Sequence, residues 1–120
     1  MKVSVFGLGY VGVVTAACLS RDGHEVIGVD VLQEKVDTVT AGRSPIVEPG
    51  LAELLAEGVR DGRISATTDA TAAVCESEIS LISVGTPSSD RGAPFLGHVR
   101  NVAAQIGDAL AVKRAPHVVV

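Results

Sequence analysis

Three glycines, Gly7, Gly9 and Gly12, stand at the spacing G-x-G-x-x-G in the phrase FGLGYVG, and an acid, Asp30, follows 18 residues after the last of them. Glycines at this spacing cradle a pyrophosphate when they close a strand and open a helix, and an acid about 20 residues on accepts hydrogen bonds from a ribose. Gly7 allows the tight turn, Gly9 lets the phosphates approach the backbone, and Gly12 lets the helix lie close to the sheet. The amides of Tyr10 and Val11, in the first helical turn, lack intrahelical acceptors and direct the positive end of the helix dipole at the phosphates. A negative Asp30 repels a 2′-phosphate, and no arginine directly follows it, so the pattern favours NAD over NADP. Glycines also gather at turns for steric reasons, so the flanking elements and the acid decide the matter.

Those elements are legible. Lys2 to Phe6 is a β-branched strand, and from Val11 the period changes: Val11, Val14, Thr15, Cys18 and Leu19 form one helical stripe, stopped by Gly23. Glu25 to Val29 is a second strand ending at Asp30, and Leu32, Val36 and Val39 mark a second helix closed by Gly42. After the proline-rich loop SPIVEPG, Leu51, Leu54, Leu55 and Val59 outline a third helix, whose first turn is expected to hold Pro49 just after Glu48. Ile64 to Thr67 is a short strand, Asp69 caps a short helix, and Ile79 to Val84 is a buried strand. Val99, Val102, Ala103, Ile106 and Leu110 give a last helix, and His117 to Val120 a last strand. The order β-α-β-α-α-β-α-β-α-β demands parallel pairing. The fold class is α/β: a partial Rossmann-type doubly wound parallel sheet of about five strands in one domain, 1–120. Such sheets bind ligands beyond the carboxyl ends of their strands. The sequence stops at the end of the fifth strand on an uncovered HVVV, so it reads as a piece of a larger protein truncated at the C-terminal end.

Composition narrows the function. Hydrophobic residues make up 47% and aromatics 2%, so the core is aliphatic. The 10 basic residues are scattered against 14 acidic ones, for a net charge of -4, which excludes nucleic acid as a partner. No apolar run reaches the roughly 20 residues that span a bilayer. Met1-Lys2 and the apolar stretch up to Cys18 loosely mimic a lipoprotein signal, but the glycines interrupt it. Cys18 and Cys75 make no disulfide pattern and fit the cytoplasm, Cys18 as a packed core thiol and Cys75 as a structural one. His24, His98 and His117 have no partner at metal or nucleophile spacing, so no metal is expected. Two softer cofactor candidates are Lys35, one helical turn past Asp30, and Thr86, in VGTP after the fourth strand; a solvated lysine and a turn threonine are their plain alternatives.

Read in order, KVSVFGLGYVG, GHEVIGVD, GRSPIVEPGL, TTD and SVGTPS resemble the start of the UDP-glucose/GDP-mannose dehydrogenase family, with SPIVEPGL leaning to its GDP-mannose branch. The resemblance runs from Met1 to about Ser88 and more loosely to Val120. It implies a four-electron oxidation of a nucleotide sugar to its acid, with two NAD molecules reduced in turn, and cofactor contacts at Tyr10, Val11, Asp30, Lys35 and Thr86. It also implies a homo-oligomeric enzyme whose catalytic cysteine lies beyond residue 120, so no catalytic residue is assigned here and the chain alone is expected to be inactive. At Phe95 the sequence departs from the family, which places an acid before the leucine that opens the next helix. Two other readings compete: a non-catalytic NAD(H) sensor module, and a methyltransferase, whose ligand has no pyrophosphate to occupy the glycine turn.

Overall fold

The structure, a computed structural model, describes residues 1–84 and 97–120. Its elements follow the order read from the sequence: β1 (Lys2–Phe6), α1 (Tyr10–Arg21), β2 (Glu25–Val29), α2 (Gln33–Thr40), α3 (Leu51–Arg60), β3 (Ile64–Thr67), α4 (Ala70–Glu76), β4 (Ile79–Ile82), α5 (Gly97–Val112) and β5 (Val118–Val119). The strands form one all-parallel sheet in the order β3-β2-β1-β4-β5. Chain direction across the sheet reverses after β3, when the chain crosses to the far side of β1. The crevice beyond the carboxyl ends of β1 and β4 is therefore the topological switch point.

Alternation along β1 divides the core. Val3 and Val5 pack with Ala16 of α1 and Val26, whereas Phe6 joins Ile27, Val29 and the inward residues of α4 and α5. Leu8, Val13, Val36, Leu55 and Ile64 fill the layer beneath α1, α2 and α3. The central strands β1 and β2 are buried on both faces from their second residue on, so the residue between Val3 and Val5, Ser4, is buried as well, whereas β5 at the edge is exposed.

Three details differ from the sequence reading. On α1 the buried residues are Gly12, Val13, Ala16, Ala17 and Ser20, not the stripe of larger residues, and Val11 is 61% exposed. Close packing selects the small side chains, so Cys18 lies half-buried on the flank rather than in the core. Pro49 falls outside α3, because Gly50 takes a left-handed conformation (φ 79°) and the helix begins at Leu51. The strands β4 and β5 are shorter than expected, ending at Ile82 and Val119. As expected, Asp69 caps α4: the Ala72 amide donates to its Oδ1 at 3.1 Å.

A polar chain runs through the amino-terminal half of the sheet. The Lys113 ammonium donates to the Val74 carbonyl at 3.0 Å, to the Ser77 carbonyl, and to His117 Nδ1 at 2.8 Å. An ammonium can only donate, so Nδ1 accepts and His117 is the neutral tautomer with its proton on Nε2. That proton goes to Ser80 Oγ at 2.7 Å, and Ser80 donates in turn to Ser4 Oγ at 2.6 Å. Ser77 also donates to Ser4, whose own proton reaches the Ile79 carbonyl, so every member is satisfied. Burial and then the Lys113 charge push the His117 pKa below its ordinary value.

Candidate functional site

The glycine turn is held from three sides. The Gly7 amide donates to the Val29 carbonyl at 2.8 Å, and the Ser83 amide donates to the Phe6 carbonyl at 2.8 Å. Ser83 Oγ donates to the Phe6 and Gly7 carbonyls at 3.1 and 3.4 Å. Gly7 has φ 103°, and a Cβ there would lie 2.8 Å from the Ser83 carbonyl oxygen. A Cβ on Gly12 would lie 1.7 Å from the Gly7 carbonyl oxygen, so the helix leaves the turn at a distance only glycine permits. Gly9 differs: a Cβ there would meet nothing within 4 Å. The fold does not need that hydrogen, and the space it leaves lies where the amino terminus of α1 opens, which suits a phosphate approaching the backbone.

Asp30, at the tip of β2, is joined to this turn. Its Oδ2 accepts from the Leu8 amide at 2.9 Å and its Oδ1 from the Leu32 amide at 2.9 Å. Leu8 itself is 1% exposed and fills the notch that Gly28 leaves, where a Cβ would lie 2.7 Å from Leu8 Cδ2. The side chain of Leu8 thus anchors the turn while its amide orients the carboxylate. Each carboxylate oxygen keeps a lone pair for a further donor such as a ribose hydroxyl. Around them opens a cleft of about 650 Å³, lined by Gly7, Gly9, Asp30 and Lys35 on one side and by Ser83 and residues of α5 on the other.

The sequence matches the UDP-glucose/GDP-mannose dehydrogenase family, NAD binding domain, over residues 1–120. The chain belongs to that family. It is 53% identical over all 120 residues to a GDP-mannose 6-dehydrogenase of Azotobacter vinelandii, of which it covers 28%. A UDP-glucose 6-dehydrogenase of Haloferax volcanii is 39% identical over the same 120 residues, with 27% of its length covered. Among solved structures, a ternary complex of GDP-mannose dehydrogenase from Pseudomonas aeruginosa superposes with a TM-score of 0.98 at 53% identity, covering 99% of this chain and 27% of that one. The chain thus spans between a quarter and a third of the length of these family members.

Within this NAD-binding domain family, the residues expected at the cofactor site take distinct places. Gly7, Gly9, Asp30 and Lys35 line the cleft. Tyr10 and Val11 stand exposed in the first turn of α1, whereas Gly12 is buried beneath the turn and acts through packing. Thr86 and Phe95 lie outside the described residues. The Tyr10 phenol lies near Glu48 of the SPIVEP loop, and the charge of that carboxylate first, with hydrogen bonding to it second, raises the phenol pKa above its ordinary value. Among the described residues no group of His, Cys, Asp and Glu is arranged to hold a metal ion, and no helix is long and apolar enough to cross a membrane. Sequence reading missed Ser83, His98, Asn101 and Gln105, all lining the cleft. His98, Asn101, Val102 and Gln105 recur at i, i+3, i+4 and i+7, a polar helical face that reading only for apolar residues passes over.

Proposed function

We propose that residues 1–120 are the NAD-binding part of a nucleotide-sugar 6-dehydrogenase that oxidises GDP-mannose to GDP-mannuronate by two successive hydride transfers to NAD. The open space over Gly9, beside a carboxylate fixed by the same turn, supports this above all. The glycine turn and the first amides of α1 receive the pyrophosphate, and Asp30 accepts the adenosine ribose hydroxyls. Its charge turns away a 2′-phosphate, and Lys35 lies close enough along α2 to meet the same ribose region. When bound, NAD would supply the hydride acceptor for each of the two two-electron oxidations, that of the alcohol and that of the aldehyde once a nucleophile or water has added to it. This chain's part is to bind and orient it: neither the half-buried Cys18 nor the exposed Cys75 lines the cleft.

The 53% identity to a GDP-mannose enzyme against 39% to a UDP-glucose enzyme favours the GDP sugar. The free cysteines fit a reducing cytoplasm, and the longer protein acts as a homo-oligomer in this proposal. Calorimetric titration with NAD, NADP and S-adenosylmethionine tests the reading: NAD should bind, and NADP more weakly. Preference for S-adenosylmethionine, or no binding of NAD, would overturn it. The 120-residue chain should not reduce NAD with GDP-mannose or UDP-glucose, and turnover by it would show that the reacting groups are already present here.

A further inference from the structure

The cleft has two unlike walls. Directly after Asp30 come two large apolar residues left in the open, Val31 at 76% and Leu32 at 53% exposure. Facing them, α5 presents Asn101, Val102 and Gln105 to the same cleft. Asn101 and Gln105 are one helical turn apart, so their amide groups lie on one face, with Val102 beside them toward the core.

Covalent order fixes what meets these walls, provided the NAD reading holds. With the pyrophosphate at Gly9 and the ribose hydroxyls at Asp30, the base on that ribose continues away from the glycine turn, into the space between Leu32 and α5. A flat purine there has aliphatic surface from Leu32, Val84 and Val102 for its faces. Its edge then meets the two side-chain amides. An amide offers one acceptor and one donor side by side, which complements the 6-amino group and N7 of adenine, whereas hypoxanthine has acceptors at both positions and satisfies neither orientation of the amide. We propose that Asn101 and Gln105 read the edge of the adenine ring and give this domain a preference for adenine over other purines in the dinucleotide.

The test compares NAD with nicotinamide hypoxanthine dinucleotide, in which the 6-amino group is replaced by oxygen, on the 120-residue chain and its variants. The parent should bind NAD about tenfold more tightly, the scale of one bidentate amide–adenine pair. In Asn101→Leu, Gln105→Leu and the double variant the ratio should shrink toward one while both dinucleotides still bind. Both positions are exposed on a helix and leucine is a good helix former, so the variants should keep the parent's circular dichroism. An unchanged ratio in the double variant, or a parent that binds the two dinucleotides equally, would overturn the proposal while leaving NAD binding intact. A parent that binds neither would instead strike the reading beneath it.

Discussion

Replacing Lys113 with methionine keeps the aliphatic stem of the side chain and removes its charge and its three contacts, to the Val74 and Ser77 carbonyls and to His117 Nδ1. Ser77 is 2% exposed and Val74 fully buried, so water cannot freely replace the donor. Losing a partner costs about 1 kcal/mol for each of three acceptors, and release of the partly buried ammonium and its rotamers returns about 1 kcal/mol, leaving a net loss of about 2 kcal/mol. For a domain of this size that lowers Tm by about 8 °C. The effect depends on pH with a definite sign. The His117 pKa is lowered in the folded state from 6.5, by burial first and Lys113 second. Its contribution is therefore complete above pH 6.5 and is lost as pH falls below that value toward the folded pKa. Lys113→Met removes the second cause and leaves the first, so the gap between variant and parent should narrow on acidification. Thermal and urea unfolding followed by circular dichroism at pH 7.5 and 5 measure both quantities. A Tm equal to the parent's at pH 7.5, or a gap that widens in acid, would refute the reasoning.

Gly9 and Gly12 should separate function from fold. Gly12→Ala drives a methyl to 1.7 Å from the Gly7 carbonyl oxygen, so α1 must shift and stability should fall by more than about 4 kcal/mol in urea denaturation. Gly9→Ala meets no atom within 4 Å, so stability should change by less than about 1 kcal/mol while calorimetry shows NAD affinity reduced by tenfold or more. Tyr10 is the single tyrosine and the chain has no tryptophan, so ultraviolet titration reports its phenol alone. In Glu48→Gln the phenol should ionise at lower pH than in the parent, and an unmoved midpoint would contradict the contact with the SPIVEP loop.

The element order was legible because hydrophobic period and turn glycines are local signals, and the ten elements among the described residues follow from them. What escaped depends on how closely elements approach. Large apolar residues pointed to one face of α1, but the 1.7 Å limit at Gly12 selects the face made of Ala16, Ala17 and Ser20. Likewise Asp30 was legible as an acid at the tip of β2, whereas the amide that orients it belongs to Leu8, and no spacing rule connects the two. The amide-bearing wall of α5 was hidden for the opposite reason: helix reading looks for the apolar stripe, and Asn101 and Gln105 flank it. His117 shows the same limit, since its partners Lys113 and Ser80 meet only once β5 is paired beside β4.

The carboxylate of Asp30 serves two masters, because the oxygens that would meet a ribose also hold the amides of Leu8 and Leu32. In the proposed reading, in which Asp30 selects the coenzyme, that choice is tied to the support of the turn. Asparagine would remove the charge but keep an acceptor for only one of the two amides, and a side chain without an acceptor strands the part-buried Leu8 amide as well, at a cost of about 1–3 kcal/mol before any new contact forms. Evolutionary drift toward the other dinucleotide thus crosses a valley of less stable intermediates. An engineer seeking that change would have to rebuild the support of the turn first and alter the acid second.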